Sequence, residues 1–145
     1  MSTHTKKRQW FQEACTRCGL KITPQRMVIF EELSKAKDHP SADELYKRVR
    51  KILPHISFDT VYRTLLSFSE TGMVRLVEGY GEVKRFDPDL EDHHHLHCLR
   101  CQKIIDFCDQ SYADLKIPAA LKQTFDVVRK RVVFEGLCRD CKNEK

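Results

Sequence analysis

Two spacings in this chain put metal-binding side chains where they could act together. Cys98-x-x-Cys101 and Cys138-x-x-Cys141 each hold two thiols close enough for one tight turn to aim both sulfurs at a single ion. Two such turns complete a tetrahedral four-thiolate shell, and a closed shell suits a structural zinc rather than a catalytic one. Two redox pairs, or plain buried thiols, are the competing readings. The 36 residues between the pairs exceed the gap of a compact zinc ribbon, so a folded segment must separate them. Cys15-x-x-Cys18 is different. On a helix these thiols stand about one turn apart with no second pair to join, so with Cys108 they read as small core or surface residues, a redox pair being the alternative.

Four histidines, His93, His94, His95 and His97, run directly into Cys98. If the segment is a strand, its two-residue period puts His93, His95 and His97 on one face and His94 on the other. Imidazoles beside a carboxylate make a site for Fe(II), Mn(II), Zn(II) or similar ions. Asp87, Asp92 and Asp106 are the candidate acids. A polar linker, or histidines that merely support the neighbouring cysteine site, are the plainer alternatives. The cluster lies mid-chain, which argues against a purification tag.

The elements that must position these groups divide near Asp87, predicting an α+β chain with domains 1–87 and 88–145. The first part reads as successive amphipathic helices. Gln9 to Cys18 closes at Gly19. Thr23 followed by Pro24 opens a helix running to about Ala36. Ser41 and Glu44 form a capping box ahead of Leu45, Val49 and Ile52, and Pro54 stops that helix. Ser57 caps another, with Val61, Leu65 and Phe68 as its buried stripe and Gly72 at its end. Two β-like runs follow, Met73 to Glu78 and Glu82 to Phe86, around Gly79-Tyr80-Gly81, a hairpin signal. Helices followed by a hairpin is the order of a winged helix-turn-helix. Beyond the acidic stretch Asp89 to Asp92, Lys103 to Phe107 and the valine-rich Asp126 to Phe134 read as strands. Ser111 to Gln123 reads as a helix broken at Pro118. So thin a core needs a staple, which the cysteine pairs would supply.

Charge separates the two parts further. Through Asp87 there are 16 Lys and Arg against 11 Asp and Glu, and from Pro88 onward 10 of each, so the whole net charge of +5 sits in the first part. That asymmetry favours a polyanion partner there. No apolar run approaches the roughly 18 residues of a membrane span. Met1 to Lys7 lacks an apolar signal core, so a cytoplasmic setting away from membranes is expected.

Taken together, Leu20-Lys-Ile-Thr-Pro-Gln-Arg26, His39-Pro-Ser-Ala-Asp-Glu-Leu45, Thr60-Val-Tyr-Arg-Thr-Leu65 and the two cysteine pairs resemble the ferric-uptake-regulator (Fur) family of repressors over nearly the whole chain. The resemblance implies a winged-helix DNA-binding domain and a small C-terminal α/β dimerisation domain holding structural zinc at Cys98, Cys101, Cys138 and Cys141. It also implies a regulatory Fe(II) or Mn(II) site made of His39, Asp87, His93, His95 and Asp106, drawing on both domains. The acid at 106 is Asp, as in the peroxide-sensing PerR-like subfamily, whereas iron sensors generally carry Glu there. In such proteins bound Fe(II) reacts with peroxide and oxidises a ligand histidine, here His39 or His93, and the repressor leaves its operator. The alternative within the family is a repressor sensing iron or zinc supply. Two departures stand out. A histidine used by many members in an additional metal site is replaced within Arg129-Lys130-Arg131, and His94 and His97 fill positions usually held by other residues, which leaves an alternative ligand set open.

For DNA, the Ser57–Glu70 helix has its apolar stripe turned to the core, leaving Thr60, Tyr62 and Arg63 for the major groove. The resemblance adds Lys21 at the minor groove or backbone. Arg75, Lys84 and Arg85 on the wing would mainly position the protein on phosphates. A homodimer would match an inverted-repeat duplex operator. An enzyme is not expected. A zinc deaminase wants His-x-Glu and Pro-Cys-x-x-Cys, and neither occurs, nor does a phosphate loop. A zinc-stapled interaction module is the remaining alternative.

Overall fold

A computed structural model describes residues 2–77 and 83–144, in two compact units, Met1–Leu90 and Glu91–Lys145. In the first unit, α1 (Thr3–Cys18) starts where Ser2 accepts from the Thr5 amide and ends at Gly19, whose φ of 72° is the left-handed cap that glycine adopts freely. It begins at Thr3 rather than Gln9. The added turns are polar, so no apolar period announced them. α2 (Pro24–Lys35) is capped by Thr23, which accepts from the Arg26 amide. α3 (Ala42–Arg50) carries the reciprocal Ser41–Glu44 capping box. Ile52 lies beyond the end of α3 and is 51% exposed, so it does not extend the buried stripe.

α4 (Phe58–Glu70) starts at Ser57 and buries Val61, Thr64, Leu65 and Phe68. The core forms where these meet Phe11, Ile29, Phe30, Leu33, Leu45 and Val49. Phe11 lies 4.8 Å from Phe30 and edge-on to Phe68, centroid to centroid, so three helices share one aromatic contact.

The hairpin strands are shorter than the sequence suggested. β1 (Arg75–Leu76) pairs antiparallel with β2 (Phe86–Asp87), setting Arg75 opposite Asp87. Met73 and Val74 are drawn into the helical core instead, and the second strand starts at Phe86, with Val83 and Lys84 in no strand. Glu78 and Glu82, the inner ends of the two expected runs, lie outside the described residues. The expected turn Gly79-Tyr80-Gly81 lies outside the described residues.

The second unit is a three-stranded sheet. β3 (His94–Cys98) lies between antiparallel β4 (Ile104–Phe107) and parallel β5 (Val133–Gly136). The expectation of a strand from Asp126 is corrected. Residues 126–132 form no strand, Val128 is 90% exposed, and pairing with β3 runs only from Val133 opposite His95 to Gly136 opposite Cys98. Valine content marks a segment able to be a strand; the available neighbour decides which part becomes one. The break expected at Pro118 divides Ser111 to Gln123 into two short helices, α5 (Gln110–Ala113) and α6 (Ala119–Lys122), with Pro118 as the N-cap of the second. α7 (Arg139–Asn143) had no sequence signal because five residues are too few to show a period. Among the described residues no helix is long and apolar enough to cross a membrane.

Candidate metal centres

The four sulfurs of Cys98, Cys101, Cys138 and Cys141 lie within 4.8 Å of one another. Cys98 ends β3, and Cys138 begins the last helix as its N-cap. Backbone N–H groups aim into the cluster: the Cys138 amide donates to Cys98 Sγ at 3.3 Å. The amides of Cys138 and Cys101 hold the Cys98 thiol down to about 5, whereas burial and the neighbouring sulfurs push Cys141 up to about 12. One thiol is prepared as an anion and another pays for crowding, a conflict that a divalent cation among them removes. Arg100, inside the first pair, donates to the Cys141 carbonyl at 2.7 Å and ties the two turns together. Its place between two paired cysteines is the one signal in the sequence that could have singled it out.

The second unit also gathers His93, His95 and Asp106. His93 Nδ1 lies 2.7 Å from the Glu91 carbonyl, which can only accept, so the proton sits on Nδ1 and the Nε2 lone pair faces inward. His93 Nε2 and His95 Nε2 are 3.1 Å apart, and Asp106 Oδ1 is 3.6 Å and 3.2 Å from them respectively. Both imidazoles are buried. In the register of β3 and β4, His95 stands opposite Asp106, which is why this acid rather than Asp92 meets the histidines.

The first unit holds a second pair. His39 Nε2 faces Asp87 Oδ2 at 3.6 Å, with both side chains almost fully buried. Asp87 Oδ1 accepts from the Asp89 amide at 3.0 Å, leaving Oδ2 toward the histidine. His39 sits at φ 51°, a left-handed conformation uncommon outside glycine and of the kind that clusters at ligand sites.

Lys21, Arg26, Thr60 and Arg63 line one open groove of about 440 Å³ between α4 and the start of α2. Arg63 is exposed and pairs with Asp59 one turn back at 2.9 Å. Tyr62 lies outside that groove, stacked 6.0 Å from Phe58, centroid to centroid. Arg75 and Arg85 turn inward, donating to the carbonyls of Leu90 and His39, whereas Lys84 is exposed.

The model of the Ferric uptake regulator family matches residues 17–135. The chain belongs to that family. This member is a metal-responsive transcriptional regulator and not an enzyme. It is 34% identical over 128 residues to the peroxide-responsive repressor PerR of Staphylococcus epidermidis, spanning 88% of this chain and 85% of that one. Its fold matches the ferric uptake regulator of Vibrio cholerae with a TM-score of 0.71 at 31% identity, over 87% of this chain and 98% of that one. The Helicobacter pylori regulator matches in fold alone, with a TM-score of 0.80 at 22% identity over 99% and 97% of the chains.

Where this Fur-family member departs from the family pattern, hydrogen bonds show what the substituted residues do. His94 Nδ1 accepts from the Val132 amide at 2.9 Å, which leaves the ring proton on Nε2 as a donor. His97 Nε2 is 3.1 Å from Gln102 Oε1, and that amide is oriented by its own nitrogen donating to the Leu99 carbonyl. Both rings are therefore held by neighbours in the second unit. Lys130 donates to the carbonyls of Ala113 and Leu115 at 2.6 Å and 2.8 Å, so a side-chain cation stands among residues between the last strands.

Proposed function

We propose that this regulator is a peroxide-responsive repressor that binds an inverted-repeat operator as a homodimer. Zinc held by Cys98, Cys101, Cys138 and Cys141 staples the second unit. Fe(II) or Mn(II) is held by His39, Asp87, His93, His95 and Asp106. The observation that carries this reading is the inward convergence of His93 Nε2, His95 Nε2 and Asp106 Oδ1. Two imidazole lone pairs and a carboxylate at that spacing call for a proton or a cation between them. Neither ligand group is a full shell for such an ion, since one offers three donors and the His39–Asp87 pair offers two. Together they make the mixed nitrogen and oxygen set that suits Fe(II) and Mn(II).

Peroxide sensing is supported by Asp at position 106 and by the 34% identity to a repressor named as peroxide-responsive. Bound Fe(II) would supply the electrons that let peroxide oxidise a nearby ligand. The chain's own part is to present His39 and His93 as the oxidisable groups and to lose its ion once one of them gains an oxygen. On DNA, Thr60, Tyr62 and Arg63 of α4 read base edges in the major groove while Lys21 reaches the backbone or minor groove. For the dimer, Leu96, Ile105 and Phe134 stand side by side across the three strands and are all exposed, a contiguous apolar row that a second copy would cover.

The test is anaerobic operator binding by the Fe(II)-loaded and Mn(II)-loaded protein before and after low peroxide, followed by peptide masses. Release of the iron form alone, with an added oxygen on the peptide carrying His39 or His93, is the expected result. Binding that follows metal supply and ignores peroxide makes the protein a metal-uptake repressor instead.

A further inference from the structure

Arg85 lies on neither the proposed ligand set nor the proposed reading helix, yet its guanidinium joins the segments that carry both. Arg85 Nη1 donates to the His39 carbonyl at 3.2 Å and meets Glu44 Oε2 at 3.3 Å. That same carboxylate oxygen accepts from the Ser41 amide at 3.2 Å, and the Ser41 hydroxyl accepts from the Glu44 amide, closing the capping box of α3. The backbone repeats the link: Ser41 and Arg85 form an isolated antiparallel bridge, and the Phe86 amide donates to the Pro40 carbonyl at 3.0 Å. Asp87 follows two residues later in β2, facing His39.

The link continues into α4. Tyr46, one turn into α3, meets Phe58 edge-on with centroids 5.8 Å apart, and Phe58 stacks on Tyr62. Phe58 is the first residue of α4. From the carbonyl of one proposed metal ligand to the first turn of the proposed reading helix, the link within the first unit runs through hydrogen bonds, a helix cap, the first turn of α3 and ring contacts.

We propose that Arg85 is a positioning residue that couples the His39–Asp87 pair to the N-terminus of α3 and so to the placement of α4, making operator affinity depend on metal loading. This rests on the metal-dependent DNA-binding reading above. Arg85 is three-quarters buried and its Nη1 is committed to two protein acceptors, so its role differs from that of a phosphate-contacting wing residue. A charged donor shared by a strained carbonyl and a helix cap holds the αL conformation of His39 in place at a partly desolvated position.

The experiment measures operator affinity with and without Mn(II), and Mn(II) affinity itself, for the full chain and for Arg85→Ala, Arg85→Lys and Glu44→Ala, with circular dichroism melts as the folding control. A coupling of this kind is on the order of 5–150-fold in affinity. The expected result is that Arg85→Ala loses most of the Mn(II)-induced gain while its metal-free affinity stays within about threefold of the parent. Arg85→Lys restores much of the gain, because one ammonium can reach both acceptors, and Glu44→Ala loses part of it. A folded Arg85→Ala variant with the parent's full gain overturns the proposal, as does an equal loss with and without metal, which would make Arg85 a simple DNA contact. If Arg85→Ala does not fold, Arg85→Lys and Glu44→Ala decide, and a full gain in Glu44→Ala is then the overturning result. Failure of the underlying reading looks different: the parent protein itself would show no metal dependence.

Discussion

His93 and His95 point their Nε2 atoms at each other across 3.1 Å, while the opposite nitrogen of His93 donates to the Glu91 carbonyl. That carbonyl selects the tautomer of His93, so its Nε2 is presented as an electron donor before any ion arrives. Asp106, one strand away and opposite His95, completes a three-donor face on a rigid sheet. Preorganisation of this kind lowers the ordering cost of binding.

Asp106 should decide the response to oxidant. Asp106→Glu is expected to keep metal-dependent operator binding within about tenfold, the lower end of what ligand-shell changes cost. It should lose release by peroxide. Gel-shift titration of the Fe(II) form with peroxide, read alongside peptide masses, checks this. Unchanged peroxide sensitivity would remove the case for reading the subfamily from this residue.

Zinc should be structural. Cys138→Ser is expected to abolish zinc retention and unfold the second unit, because zinc binding in such shells is about 10–16 kcal/mol, comparable with or larger than a domain's net stability of about 5–15 kcal/mol. Metal analysis and a circular dichroism melt test it. A serine variant that keeps one zinc per chain and melts normally would show that the sulfurs hold no staple.

Arg63 should carry part of the sequence readout. Its side chain is 78% exposed on α4, so Arg63→Ala leaves the core intact. The expected loss is about 1–3 kcal/mol of operator affinity, with zinc content unchanged. Fluorescence anisotropy on operator and scrambled duplexes separates base reading from phosphate contact. An equal loss on both duplexes would leave Arg63 a backbone contact.

Association should run through the apolar row of the sheet. Leu96 lies opposite both Ile105 and Phe134, so a charge there is placed at the centre of the row. Leu96→Asp is expected to shift the protein from dimer to monomer in sedimentation velocity at micromolar concentration. A dimer of parental stability would move the interface elsewhere on the second unit.

Much of the fold was legible because its signals are local. Thr23 before Pro24, the Ser41–Glu44 box and Ser57 each act within one turn, and each begins its helix where the sequence places it. The apolar period of α4 likewise gave Val61, Leu65 and Phe68 as buried. The cysteine pairs were legible for the same reason, since two residues between thiols define one turn whatever surrounds it. The short second-unit elements were not. α7 is too brief to show a period, and β5 begins at Val133 because that is where β3 offers hydrogen bonds, not where valines start.

For the candidate site, residue types and spacing by themselves determined the donors: four thiols, a run of histidines and three nearby acids. Only the tertiary structure decided which of them meet. His39 and Asp87 are far apart in sequence and come together because the Pro40–Ser41 segment hydrogen-bonds to the strand carrying Asp87. The sheet register chose Asp106 for His95, and an amide from Val132 turned His94 into a donor. Arg85, which a linear reading assigns to solvent and phosphate, was turned inward by acceptors on two other segments. Caps and knuckles are set by neighbours within a few bonds along the chain, whereas tautomers, ion pairs and ligand sets depend on what folding brings alongside.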